Sequence, residues 1–152
     1  MVKKNKHYVN NKEFYNLLVE NKKLIDAIKF YSKDTVNNKK ELCMLEEKLR
    51  KTKNKLGNIF LRICKGFLSK PSYMGYSWDR KDIMTSDATF YMSNYIDRYK
   101  LEKTNPFAYF TRICRNAFLQ HINKYNKTSK KFQNIGFIEN MINKNNQDED
   151  YE

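Results

Sequence analysis

Apolar residues stand at Leu42, Leu45, Leu49, Leu56, Phe60, Ile63 and Phe67, and no proline interrupts them. Steps of three, four and seven are the α-helical period, so the chain from about Lys39 to Ser69 is expected to form a long helix with one apolar side. Charged residues fill the gaps, among them Glu46, Glu47, Lys48, Arg50, Lys51, Lys53 and Lys55, and this run reads as a solvated face. Gly57 offers a place to bend, leaving open one helix or two, and Gly66 or Pro71 offers an end. Breakers are scarce throughout: four Gly and two Pro in 152 residues argue against a turn-rich β architecture.

The same period organises the rest. Residues 8–31 read as a first helix with Phe14, Leu17, Leu18, Leu24, Ile25 and Ile28 at helical spacings. Asn10 or Asn11 supplies its cap, and Glu13 sits in the first turn, where the helix dipole favours an acid. Residues 32–38 are a polar connection, and residues 72–78 an aromatic-rich turn with Asp79 able to cap the next helix. That third helix, about Asp79 to Tyr95, is expected to bury Ile83, Met84, Phe90 and Tyr91. After a polar link, Lys100 to Thr104, a fourth helix opens at Pro106, where the missing donor costs nothing, and runs to about Tyr125. From Asn126 the chain is rich in Asn and ends Asp148-Glu149-Asp150-Tyr151-Glu152, with at most a short helix over 135–142. The expected architecture is all-α: a compact domain of about four helices over 1–132, then a flexible acidic tail, 133–152.

The formal net charge is +13, which favours nucleic acid or another polyanion as partner. Only six of the 30 basic residues are arginine, so part of this charge reflects the Lys- and Asn-rich usage of an A/T-rich coding sequence. No apolar run approaches the ~18 residues of a membrane span, and the basic start has no apolar segment behind it, so neither a span nor a signal peptide is expected. Cys43, Cys64 and Cys114 form no CxxC and pair with neither His7 nor His121 at zinc spacing; they read as buried thiols in a reducing compartment. Phosphate-loop, HExxH and nucleophile-elbow motifs are missing, so no enzymatic activity and no cofactor are expected. A nuclease built from Asp79, Asp82 and Asp87 is the remaining catalytic alternative.

Residues 98–131 hold nine basic side chains against Glu102 alone, with Tyr99, Phe107, Tyr109, Phe110, Phe118 and Tyr125 threaded among them. On a helical wheel Phe110, Ile113, Cys114, Ala117 and Ile122, with Phe118 beside them, make a buried stripe. Arg112, Arg115, Asn116, Gln120 and Asn123 fall on or near the other side, a basic, amide-bearing face suited to DNA: Arg and Lys hold phosphates, while Asn or Gln pairs with an adenine edge. Tyr99, Phe107 and Tyr109 are of a type that stacks extruded bases, at ~1–3 kcal/mol each. Spacing alone leaves Tyr109 divided between stacking and packing, and inclines Phe107 and Phe110 to the core.

The run Tyr109-Phe110-Thr111-Arg112-Ile113-Cys114-Arg115-Asn116-Ala117-Phe118 resembles the promoter-melting helix of bacterial primary sigma factors. Asp82-Ile83-Met84-Thr85 and Met92 resemble the sigma helix that grips the coiled coil of the polymerase largest subunit. The late-transcription sigma factors of large myophages are a closer likeness. They share the pattern of Tyr8-Val9-Asn10-Asn11-Lys12-Glu13, of Gly75-Tyr76-Ser77-Trp78 and of Asn105-Pro106-Phe107-Ala108-Tyr109, in order over roughly residues 8–132.

The resemblance implies a function in the cytoplasm of an infected bacterial host. It puts Asp82, Ile83, Thr85, Ala88 and Met92 at polymerase-docking positions. Tyr99, Lys103, Tyr109 and Arg112 fall where sigma factors trap or support the flipped base, and Asn116, Leu119 and Gln120 where the upstream edge of the promoter element is read. It implies a core-binding and melting module without the upstream-element domain, working with host polymerase core, promoter DNA and a phage coactivator. It also implies attachment to the DNA sliding clamp through Asp148, Glu149, Asp150 and Tyr151. Departures are plain: Arg112-Ile113 replaces the Trp pair of primary sigma factors, Asp87 stands at a usual Gly, and Phe90 and Tyr91 are bulky. Two alternatives remain, a stand-alone DNA-binding regulator and a polymerase-binding inhibitor.

Overall fold

The computed structural model describes residues 9–33, 39–103 and 105–148, with side chains as far as Phe137. The chain is all-α, with helices α1 (Asn11–Tyr31), α2 (Lys39–Leu68), α3 (Pro71–Met74), α4 (Trp78–Asn94) and α5 (Pro106–Asp148). Each start has a local cause. Asn10 is extended, and its side chain accepts from the N–H groups of Lys12 (3.1 Å) and Glu13 (3.3 Å), two of the donors a helix start leaves without partners. Pro71 and Pro106 occupy first helical positions. Helix α4 begins at Trp78 after an extended Ser77, so Asp79 lies inside its first turn rather than capping it.

Helix α2 is one element: nothing breaks it at Gly57. Its amphipathic stripe is divided in depth. Leu42, Leu45 and Leu49 are half-buried, whereas Thr52, Leu56, Ile59, Phe60, Ile63, Cys64 and Phe67 are buried. The aromatic-rich stretch that reads as a turn begins inside a further short helix, α3.

Two compact units are present, residues 1–118 and 119–152. In the first, α2 packs against α1, α3 and α4. The core centres on Phe14 of α1, Phe60 of α2 and Phe110 at the start of α5, all fully buried, with ring centroids 5.1–6.0 Å apart. Phe67, Tyr73 and Phe118 form a second aromatic group with centroids 5.5–6.3 Å apart. Burying each Phe contributes about 1.5–3 kcal/mol, and the tilted and edge-on pairs about 0.5–1.5 kcal/mol more. Between these groups the Cys64 and Cys114 sulfurs lie 3.7 Å apart, with Thr89 Oγ1 4.0 Å from Cys64. Cys64 and Cys114 are buried as expected; Cys43 is exposed.

Helix α4 buries Met84, Ala88 and Met92, not the larger apolar set expected. Met84 is in the core, but Ile83, Phe90 and Tyr91 face outward. Helix α5 continues through Asp148 instead of ending near Tyr125, so residues 126–148 are helical and no break in secondary structure falls at 132/133. Among the described residues no helix is long and apolar enough to cross a membrane.

Candidate nucleic-acid interface

The start of α5 is fixed by two asparagines from distant parts of the chain. Asn105 Oδ1 accepts from the Ala108 N–H at 3.0 Å, and Asn11 Oδ1 from the Phe107 N–H at 3.1 Å. Of the two adjacent asparagines that could cap α1, Asn10 does so and Asn11 caps α5, a role with no signal in local sequence. The segment before α5 is held as tightly: Tyr15 of α1 donates its hydroxyl to the Leu101 carbonyl at 3.0 Å. Tyr99 donates to the Lys103 carbonyl.

Tyr99 is therefore a support. It is 5 % exposed, and its ring lies 5.2 Å from Tyr109 and 5.9 Å from Phe110. Burial, and then the nearby Tyr15, push its phenol above the ordinary value, so it stays a protonated donor. A side chain buried and held at both ends has no face open for a base to stack on, so of the two expected roles, trapping or supporting a flipped base, its position suits only the second. Tyr109 is half-buried, supported by Tyr99 beneath and by Phe110 edge-on at 5.1 Å.

Phe110 is in the core as expected, but Phe107 is 40 % exposed. Side chains lean toward a helix's N-terminus, and Phe107 in the first turn consequently projects past the packed layer. Arg112, Arg115 and Asn116 face away from the core and are all exposed, as is Lys103 before the helix. Cys114, Ala117 and Phe118 fill the opposite, buried side. Gln120, Ile122 and Asn123 belong to the second unit, where Gln120 and Asn123 are exposed and Ile122 is half-buried.

The α4 residues separate into two groups. Asp82 is exposed, Ile83 is 52 % exposed and Thr85 is half-buried, all open to a partner. Ala88 and Met92, expected at docking positions as well, are fully buried on the inner side of the helix. The inner set Met84, Ala88 and Met92 and the outer set Ile83, Phe90 and Tyr91 lie on adjoining faces of one helix. Spacing cannot choose between them, because large apolar residues stand on both. Outward, α4 shows Asp79, Asp82, Ile83 and Phe90, two carboxylates beside two large apolar side chains. Next to them an open groove of about 500 Å³ is lined by Leu61 and Leu68 of α2 and by Trp78, Lys81, Asp82 and Thr85 of α4. Trp78 is 82 % exposed.

Among the described residues no three His, Cys, Asp or Glu side chains gather at metal-binding distance. Of the clamp-attachment residues, Asp148 ends α5, and Glu149, Asp150 and Tyr151 lie outside the described residues. Comparison with protein-family models, with curated proteins and with solved structures finds no match.

Proposed function

We propose that the chain is a sigma-like initiation factor that joins RNA polymerase core and recognises and melts an A/T-rich, −10-like late promoter element. The observation that carries this reading is the separation of surface chemistry within one small domain. Helix α4 shows carboxylates beside exposed apolar side chains, while the start of α5 shows Arg112, Arg115 and Asn116 next to Phe107 and Tyr109. An acidic, apolar face suits a basic protein surface, and a basic, aromatic face suits a strand being separated.

Each residue has a part in this scheme. Arg112, Arg115 and Lys103 hold phosphates, and Asn116 offers the bidentate amide that reads an adenine edge. Tyr109, with Phe107 beside it, stacks the extruded base. One or two stacked bases return ~1–3 kcal/mol each, enough to offset the few kcal/mol of flipping. Tyr99 holds Tyr109 in place. Docking on core falls to Asp82, Ile83 and Thr85 with exposed neighbours Trp78 and Phe90. Attachment to a sliding clamp through the acidic end, help from a coactivator, and action in the cytoplasm of an infected bacterium extend the same reading.

The test is run-off transcription with sigma-free polymerase core on supercoiled DNA of the protein's own genome. Discrete starts downstream of a shared A/T-rich element are expected, reduced tenfold or more by Tyr109→Ala and abolished by Asp82→Ala. Core binding without any new start would instead establish an inhibitor. Specific duplex binding that needs no polymerase would establish a free-standing regulator.

A further inference from the structure

We infer that the distal part of α5 carries its own phosphate-binding face for duplex DNA, made by Lys124, Lys127, Lys130 and Lys131. This deepens the DNA-binding reading above and assigns contacts to residues with no role in the promoter-melting scheme. Residues 119–137 contain four lysines and no acid. At 3.6 residues per turn these lysines, with Gln120, Asn123 and Asn134, fall within about 120° of the helix circumference. All seven are exposed. Lys124 and Lys131 lie two turns apart, about 10.5 Å along the axis, and Lys127 and Lys130 fill the space between them.

That face has the chemistry of backbone contact. Ammonium groups are compact point charges that hold phosphates without forked geometry, and amides beside them add neutral donors. No aromatic residue stands in the arc: Tyr125 and Phe132 are on the other side of the helix, and Phe137, just past the edge of the arc, lies two turns beyond Lys130, so no ring is interleaved among the lysines to stack single-stranded bases. Duplex DNA presents one charge per ~1.7 Å of its axis, dense enough to meet every lysine in the row. A protein partner fits less well, since lysine is depleted from protein interfaces and arginine enriched. An anionic membrane also fits less well, because Thr128, Ser129 and Gly136 interrupt the apolar side of the helix.

Full-length protein is titrated into a fluorescent duplex of about 30 base pairs over a series of KCl concentrations. Each phosphate contact adds about 0.9 to the slope of log K against log salt. The variant Lys124→Gln/Lys127→Gln/Lys130→Gln/Lys131→Gln is expected to flatten that slope by about 2–4, and the matching Lys→Arg variant to keep it. The control Lys40→Gln/Lys48→Gln/Lys53→Gln/Lys55→Gln on α2, with the same loss of charge, is expected to change it by less than about 1. Equal effects from the two glutamine variants would overturn the inference, as would an unchanged slope. Binding of the wild-type chain to phosphatidylserine vesicles, lost in the α5 variant while duplex binding persists, would overturn it in favour of a membrane. Start sites lost with Tyr109→Ala are scored separately, so either reading can fail alone.

Discussion

Phe107 and Phe110 are the same residue type one turn apart, yet they serve different purposes. Phe110 is fully buried against Phe14 and Phe60, while Phe107 leans out past the end of the core. Phe110→Ala is therefore expected to cost about 3–5 kcal/mol of stability in urea unfolding, through lost burial and the cavity left behind. Phe107→Ala should cost under about 1 kcal/mol and, on the function proposed above, reduce promoter opening instead. Equal costs would mean that Phe107 is a core residue after all. Tyr109 stands between these cases: its back is packed on Tyr99 and Phe110, which fixes its ring, and its outer part remains available. A ring already held in place loses little freedom when a base stacks on it, which favours binding.

Each helix is legible in residue order to the extent that its apolar residues occupy one side only. Helix α2 lies within a residue of the range Lys39 to Ser69 that its spacing predicts, and spacing leaves open its continuity through Gly57 and the choice of Gly66 or Pro71 as its end. A Cβ added at Gly57 would meet nothing within 4 Å. Gly57→Ala is accordingly expected to stabilise the protein by about 0.5–1 kcal/mol by reducing the freedom of the unfolded chain, read as a higher urea midpoint at unchanged slope. Helix α4 stands where spacing puts it along the chain but is turned to a different side. Ile83, Phe90 and Tyr91 look like core to any hydrophobicity argument, and only the burial of Met84, Ala88 and Met92 shows them to be surface. Helix α5 runs past its expected end because Asn- and Lys-rich sequence signals a solvated surface without signalling a stop; after Pro106 no further proline occurs as far as Asp148.

For the molecule as a whole, alkaline pH provides a test of how tightly the first unit closes. Burial lifts the phenols of Tyr73 and Tyr99 above their ordinary value of 10.0, whereas the hydrogen bond between Cys64 and Cys114 holds one thiol below 9.0 and the other above it, so the tyrosines carry the effect. The unfolded chain releases the two phenol protons first, so from about pH 9 upward it binds fewer protons than the folded chain. Stability present below that pH is then lost as the pH rises toward about 11. Thermal unfolding should show a midpoint falling steadily over that range. The variant Tyr73→Phe should flatten part of that fall. A flat wild-type profile would show that these groups are open to solvent in the folded protein.

Residue order alone settles the helical class, the positions of four of the five helices apart from the far end of α5, an asparagine cap for α1 at Asn10 or Asn11, the proline start of α5 and the basic, aromatic character of residues 98–131. All of these depend on neighbours within a turn or two, and such local preferences are written directly along the chain. Packing between helices settles the rest: which of two apolar faces of α4 is core, that Tyr99 supports rather than presents itself, that Asn11 caps a helix far along the chain, and that Phe107 is surface. Each of these depends on what another helix places opposite, and spacing along one helix cannot state which side its neighbours will cover.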